Sequence, residues 1–415
     1  MINLYFVDDY QSSEYNGIGT FRDIFIQSFG ESNVNFNLVS FNAVCESFSK
    51  IRHGNWREYK FGKENNDWRM NIYDKLLFLK QYQYLIDCPQ NVFLFNYRIS
   101  GEIIYTLKRI FPLSKFIFVI HDQEWTSLLL GCRERLQFIL KENNMNTQKS
   151  SSIVNFVIKE EIEKERALYN SMDKVVCLSK STYDILVNIY MISPLKIELI
   201  HNGVKSQCRY YDNKTLSQYR HQLGIENNEK VIIYVGRPAQ IKGYFVLLEV
   251  LKRLIGSTLA FKVILAGPIN ENLKELLNNP DFRRRLAWYG FTDRRQLDKL
   301  YAISDIAVLP SYSEQCSFVA LEAISHNLLV IASDGQGLKE MFMDNNIGII
   351  SNIGKYNNPE YFINNLTNTL IKAINIKKKS ADIMIKNQSK ILKEIYSEHL
   401  MIDKYNNLFT RVSSY

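Results

Sequence analysis

Two carboxylates, Glu314 and Glu322, flank the stretch "SEQCSFVALEA" near the start of a helical pattern. A carboxylate accepts two hydroxyl protons, so each acid can clasp a diol. The pattern "FVALEAIS" places the helix start near Ser317 or Phe318. The unpaired amides around Cys316, Ser317, Phe318 and Val319 then favour an anion, with Glu314 on the loop before the helix and Glu322 about one turn inside it. A second cluster lies in "VGRPAQIKGY", residues 235–244, which follows a strand and precedes a helix, where such connections bind phosphate. Arg237 and Lys242 there can neutralise a diphosphate, and Gly236 and Gly243 let the backbone bend or approach closely. Two acids, two cations and a helix mouth suit a nucleotide-sugar, which has a diol at each end and a diphosphate between them. Glu322 would hold the ribose, Glu314 the sugar, and the helix mouth with Arg237 and Lys242 the phosphates. The plainer alternative is two surface acids and a loop with two solvated cations.

Such groups need a scaffold, and the chain supplies a rhythm of strands and helices. In the N-terminal half "INLYFV", "NVNFNLVSF", "NVFLFNY", "KFIFVIHD", "DKVVCLS" and "KIELIHNGV" read as strands. The amphipathic stretches "TFRDIFIQSF", "EIIYTLKRIF" and "STYDILVNIY" lie between them. Residues 140–155, "LKENNMNTQKSSSIVN", read as a polar surface loop, followed by a charged helix. Residues 205–229 read as a linker with one or two helical turns. The rhythm then restarts with "KVIIYVG", "YFVLLEVLKRLI" and "FKVILAG", and a basic helical region covers about 359–412. Alternation of this kind predicts mostly parallel sheets covered by helices on both faces, in two domains. Ligands of open parallel sheets bind beyond the carboxyl ends of the strands. No internal repeat is visible.

The residues quoted resemble a family-4 glycosyltransferase of the GT-B fold. The acids form its Glu-x7-Glu motif, "IHNGV" resembles its Asn-Gly-Val, and "VGRPAQIKG" its Gly-Arg…Lys-Gly loop. The segments "GFTDRRQLDKLYAISDIAVLPSYSE" and "ALEAISHNLLVIASDGQGLKEM" follow its pattern nearly end to end, and the likeness is strongest over 200–345. The resemblance implies α/β architecture with two Rossmann-like doubly wound domains facing a cleft. It implies an acceptor-binding domain at 1–205, a linker at 206–228 and a nucleotide-sugar domain at 229–395, with a C-terminal helix at 396–415 packing back on the first domain. The implied reaction is retaining transfer of a hexosyl unit from a UDP- or GDP-sugar to an acceptor hydroxyl, with no metal or other cofactor required. The acceptor is left open among a glycan, a lipid-linked molecule and a peptide.

By the same resemblance, Gly17 and Gly19 in "NGIGTFRD" form a glycine-rich loop near the donor phosphates, and His121 in "FVIHDQEW" contacts the transferred sugar. Arg237, Lys242, Glu314 and His121 are then the catalytic set. Asp122 and Ser179 would border the acceptor. A common turn at the glycines and a hydrogen-bonded loop histidine are the plainer alternatives, and a metal set of His121, Asp122 and Glu124 is disfavoured. Gln315, Cys316 and Ser317 replace the family's usual Gly-Phe-Gly, which puts donor choice in doubt. A catalytically idle GT-B partner of another transferase and a nucleotide-sugar 2-epimerase are the alternative functions.

Composition sets the outer limits. The chain has 415 residues, with 46% hydrophobic and 23% charged, the profile of a globular protein of two ordinary domains. No apolar run approaches bilayer-crossing length, and "MINLYFVDDY" has no signal-peptide pattern. The six cysteines form no Cys-x-x-Cys pair and read as reduced thiols, so a cytoplasmic location is expected. The formal charge of +8 gathers in "DFRRRL" and "IKKKSADIMIKNQSKILK". These runs read as solvated faces, with peripheral contact at the inner face of the membrane as a weaker reading. No nucleic-acid-binding module appears, and the oligomeric state is left open.

Overall fold

Strand β1 (Asn3–Asp9), "NLYFVDD", is buried from Leu4 to its acidic end, as expected of a central strand covered on both faces. A computed structural model describes residues 1–10, 16–30, 32, 34–45, 47–62, 68–141, 150–206, 211–343 and 347–414. They pack as two units, the first from Met1–Glu124, Asn144–Asn202 and Glu398–Tyr415, the second from Trp125–Asn143 and Gly203–Ser397.

In the first unit β1 pairs in parallel with β2 (Asn35–Ala43) on one side and β5 (Asn91–Phe95) on the other. Beyond β2 lie β4 (Trp56–Gly62) and β3 (Ser49–His53), and beyond β5 lie β6 (Lys115–Ile120), β7 (Lys174–Cys177) and β8 (Ile197–Leu199). Among the described residues only β3 and β4 pair antiparallel. The charged and exposed β3 hides its strand character from a hydrophobic pattern, because only its pairing with β4 makes it extended. Helix α1 (Gly17–Phe29) lays Phe21, Phe25 and Phe29 on Phe6 and Phe36 of the sheet. Tyr405, from the helix Glu398–Ser413, meets Phe21 and Phe25 edge-on at ring separations of 5.8 and 4.8 Å.

Among the described residues of the second unit, six strands form one parallel sheet. They are β9 (Lys230–Val235), β10 (Phe261–Ala266), β11 (Leu286–Tyr289), β12 (Ile306–Leu309), β13 (Leu329–Ser333) and β14 (Ile349–Ser351). Their order is β11-β10-β9-β12-β13-β14, so the chain leaves β9 in one direction and returns on its other side at β12. That reversal makes a topological switch point at the carboxyl ends of β9 and β12. Leu247, Leu251 and Leu254 share a core with Phe362, Leu366 and Leu370 on one face of this sheet.

Several expectations need correction. The segment 125–143 packs with the second unit although it lies inside 1–205. Leu130 O accepts from Asn357 Nδ2 at 2.6 Å, and a Cβ on Gly131 would lie 2.7 Å from Ser313 Cβ. The expected linker carries a full helix, Asn213–Gln222, capped by Asp212 and tied down by Arg220, whose Nη1 donates to Ile303 O and Nη2 to Glu229 O. In the expected 140–155 loop, a helix begins at Ser150, and 142–149 lie outside the described residues. The run "DFRRRL" is not all solvated, since Arg285 is buried over the Phe261 ring and donates to Ser257 O and Leu259 O. Among the described residues the cysteines are free thiols, and Cys208 is not among those described.

Candidate functional site

The second unit brings Lys242 and Glu314 together at its switch point. Lys242 ends the short 3-10 turn Gln240–Lys242 after β9, and Glu314 sits on the connection after β12. Lys242 Nζ donates to Glu314 Oε1 at 2.8 Å, and Ser311 Oγ donates to the same oxygen at 2.8 Å. Glu314 Oε2 has no partner among the described residues, and an ammonium has three donors, so both groups keep capacity for a ligand.

Backbone crowding sets this pairing. Gly243 has φ +64, and a Cβ there would lie 1.8 Å from Pro310 O. Gly337 has φ +79, with its would-be Cβ 2.1 Å from Glu314 O. Glu314 N also donates to Gln336 O at 2.8 Å, and Tyr312 N to Ile241 O at 2.8 Å. The three connections after β9, β12 and β13 are therefore clamped backbone to backbone.

Helix α2 (Phe318–Ser325) begins beside Glu314, with Ser317 as its N-cap accepting from Ala320 N at 3.4 Å. The amides of Phe318 and Val319 open the helix and have no helical acceptor. Cys316, Ser317 and Phe318 are buried and Val319 is half-buried. Glu322 is buried within the helix and takes Arg294 Nη1 on Oε1 and Tyr301 Oη on Oε2, the latter at 3.0 Å. Burial holds the Tyr301 phenol well above its ordinary pKa, so Tyr301 is the donor. Arg237 is exposed on the same β9 connection as Gly236 and has no side-chain partner among the described residues.

In the first unit a different polar cluster gathers at the switch point between β1 and β5. Asp8, the next-to-last residue of β1, has no exposure and pairs with Arg22 Nη1 of α1 at 3.2 Å. Asn96, just past β5, donates Nδ2 to Asp8 Oδ1 at 2.8 Å and to Ile18 O at 3.2 Å. His121, just past β6, places Nε2 2.7 Å from Asn96 Oδ1. Burial lowers the His121 pKa to about 3, so the ring is neutral near pH 7.

Gly17 and Gly19 are not in a loop. They form the first turn of α1, because the Asn16 side chain caps it by accepting from Ile18 N at 2.8 Å and Gly19 N at 3.3 Å. Ser179 is a buried N-cap of the helix Lys180–Asn188, and its Oγ accepts from Thr182 N at 3.2 Å. Asp122 is exposed. Among the described residues no three His, Cys, Asp or Glu side chains gather as a metal site. Sequence reasoning missed Asn96, Arg22, Ser311, Arg294 and Tyr301. An acid closing a buried strand, as in "YFVDD", and a polar residue straight after "VFLF" were the available signals.

Residues 217–390 match the family model described as Glycosyl transferases group 1. The chain is 28% identical over 172 residues to "Uncharacterized glycosyltransferase MJ1607" of Methanocaldococcus jannaschii, a span of 40% of this chain and 44% of that protein. It is 27% identical over 192 residues to a D-inositol 3-phosphate glycosyltransferase of Mycobacteroides abscessus, 45% of this chain and 42% of that protein. The chain therefore spans under half the length of these curated relatives. Over its full length it superposes on a sucrose-phosphate synthase of Thermosynechococcus elongatus, with TM-score 0.74, 16% identity and complete coverage of both chains. Anabaena Alr3699/HepE, solved with UDP and glucose, gives TM-score 0.69 at 16% identity over 99% of this chain and 100% of that one. Residues 217–390 are thus similar to the glycosyl transferases group 1 family, on a chain with the GT-B fold.

Proposed function

We propose that the protein is a retaining glycosyltransferase that moves a hexosyl unit from a nucleotide-diphosphate sugar to an acceptor hydroxyl without a metal. The observation that carries this reading is the Lys242–Glu314 pair at the β9/β12 switch point, beside the opening amides of α2. An ammonium and free amides receive a diphosphate, and a carboxylate oxygen without a partner receives a sugar hydroxyl. Relatives of this fold solved with UDP and with UDP-glucose make a UDP-sugar the first donor to try.

In the proposed step the bond from the anomeric carbon to the diphosphate oxygen breaks, and a bond to the acceptor oxygen forms on the same face. The acceptor proton passes to the leaving phosphate. Lys242 and Arg237 stabilise the charge that develops on the diphosphate. Glu322 receives the ribose, with Arg294 and Tyr301 orienting its carboxylate. The acceptor belongs to the first unit, and its class is a glycan, a lipid-linked molecule or a peptide.

The test is a panel of UDP- and GDP-sugars scored by thermal shift and by nucleoside diphosphate release, with Lys242→Ala and Glu314→Ala beside the parent. A bound donor raises the melting temperature by mass action. Binding and turnover lost in both variants support the reading. Absence of nucleotide binding across the panel overturns it in favour of an idle GT-B partner, and epimerised sugar from donor alone indicates an epimerase.

A further inference from the structure

Leu130 and Gly131, in "SLLLGCRE", stand in consecutive left-handed backbone, with φ of +50 and +68. Glycine takes that conformation freely, whereas a leucine there is strained and persists only where its surroundings hold it. The turn closes on its own chain, since Gly131 N donates to Thr126 O at 2.8 Å and Cys132 N to Leu129 O at 3.0 Å. It is also gripped from the second unit, to which the segment 125–143 belongs. Leu130 O accepts from Asn357 Nδ2 at 2.6 Å, and the Leu130 side chain packs against the core that includes Tyr312 and Phe362. Asn357 is itself left-handed at φ +55, next to Tyr356 at φ +56. Strained backbone therefore meets strained backbone, and it does so one residue from Glu314. Gly131 lies so close to Ser313 that a Cβ on it would stand 2.7 Å from Ser313 Cβ and 3.1 Å from Tyr312 O. Ser313 is bridged through its backbone to Gln336. The connection after β12 is thus held by its backbone against the β13 connection, and by the Ser313 side chain against the Leu130–Gly131 turn.

We propose that the Leu130–Gly131 turn is a positioning element of the candidate site: it props the Ser313–Glu314 connection and so sets where the Glu314 carboxylate meets a hydroxyl of the transferred sugar. The sugar's part rests on the functional reading above, whereas the prop rests on the packing alone. Over-determined strain of this kind fixes a neighbour in one place, because neither side can relax without giving up the contacts that hold it. Glycine is required at 131 for two separate reasons, its left-handed backbone and the missing Cβ, and the second is the prop itself. Carbon atoms pack at about 3.5–4.0 Å, so a methyl group at 131 must push Ser313, and Glu314 with it, by about 1 Å.

The test uses the full chain and two readouts. In denaturant titrations Gly131→Ala, Ser313→Gly and the double variant form a cycle. Ser313→Gly removes the atom that the new methyl group strikes, so the double variant should denature later than the two single losses added together predict. An additive cycle overturns the prop. Calorimetry with UDP and with UDP-glucose then reads the position of Glu314. Gly131→Ala should weaken UDP-glucose about tenfold, the worth of one hydrogen bond to a charged group, and leave UDP unchanged. Gly224→Ala, left-handed at φ +60 but without a close neighbour in the backbone, should change neither affinity. Asn357→Gly keeps the left-handed backbone, removes only the grip on Leu130 O and should weaken UDP-glucose about threefold, which serves where Gly131→Ala does not fold. Parental affinities in both Gly131→Ala and Asn357→Gly, or an equal loss of UDP and UDP-glucose, overturn the positioning role. A coupled cycle in a protein whose parent binds neither UDP nor UDP-glucose leaves the prop standing and overturns the sugar's part together with the functional reading.

Discussion

Replacing Gly243 by alanine separates two costs that the structure lets one count. The first is conformational: at φ +64 an L-residue sits in the left-handed region, at about 1–2 kcal/mol. The second is steric: the new Cβ would lie 1.8 Å from Pro310 O and 2.6 Å from Pro310 C, so the β9 and β12 connections must part by more than an ångström-scale adjustment of a side chain. Overpacking of this kind costs about 1–3 kcal/mol, for a total of roughly 2–5 kcal/mol. Gly224 provides the control inside the same unit. It has φ +60, but its would-be Cβ meets only Lys262 Nζ, the mobile end of a side chain, at 3.5 Å. Gly224→Ala should therefore cost the conformational term alone, about 1–2 kcal/mol. Chemical denaturation of the two variants beside the parent gives the difference, and UDP affinity should fall only for Gly243→Ala because Lys242 is displaced from Glu314. If Gly243→Ala denatures no more readily than Gly224→Ala, the backbone clamp is not what fixes the pair.

Further outcomes follow from the same geometry. Lys242→Ala should lower turnover about a hundredfold, the usual effect of removing one donor to a developing oxyanion, measured as kcat on UDP-glucose. Arg294→Ala strips Glu322 of its cation and should destabilise the fold by about 1–2 kcal/mol, a low figure because the Arg294 side chain is 54% exposed, and adding Glu322→Gln should recover most of it in denaturant titrations. Burial raises Glu165 to about pH 7 against an unfolded value of 4.5, so the folded chain holds a proton that the unfolded chain has lost across that window. Stability from this group is present below the unfolded value and declines as pH rises to about 7, by on the order of 3 kcal/mol, and Glu165→Gln should flatten that slope in melts between pH 4.5 and 8.

The sheets were legible because buried parallel strands read as continuous apolar runs, and "INLYFV", "KFIFVI", "KVIIYV" and "FKVILA" all lie in central positions. Strand β3 was not, since "SKIRH" has no apolar signature and owes its extension to a partner. The start of α2 at Ser317 was readable from a capping residue before an apolar run. At Gly17 the same logic pointed the wrong way, because two glycines suggest a loop, whereas the Asn16 cap and the Phe21, Phe25 and Phe29 stripe make a helix. The acids and cations of the candidate site announced themselves by type. Asn96, Arg294 and Tyr301 did not, since a polar residue that orients another acquires its meaning only when distant segments meet.

The helix Glu398–Ser413 has a bearing on biogenesis. Its Tyr405, with no exposure, and Phe409 complete the aromatic packing begun by Phe21, Phe25 and Phe29 near the amino terminus. During synthesis at about 5–20 residues per second, those three phenylalanines emerge from the ribosome long before their lid has been translated. The nascent first unit must therefore spend most of the elongation time with an unsealed aromatic face, and a chain halted before residue 398 is a natural client for chaperones that hold exposed apolar surface.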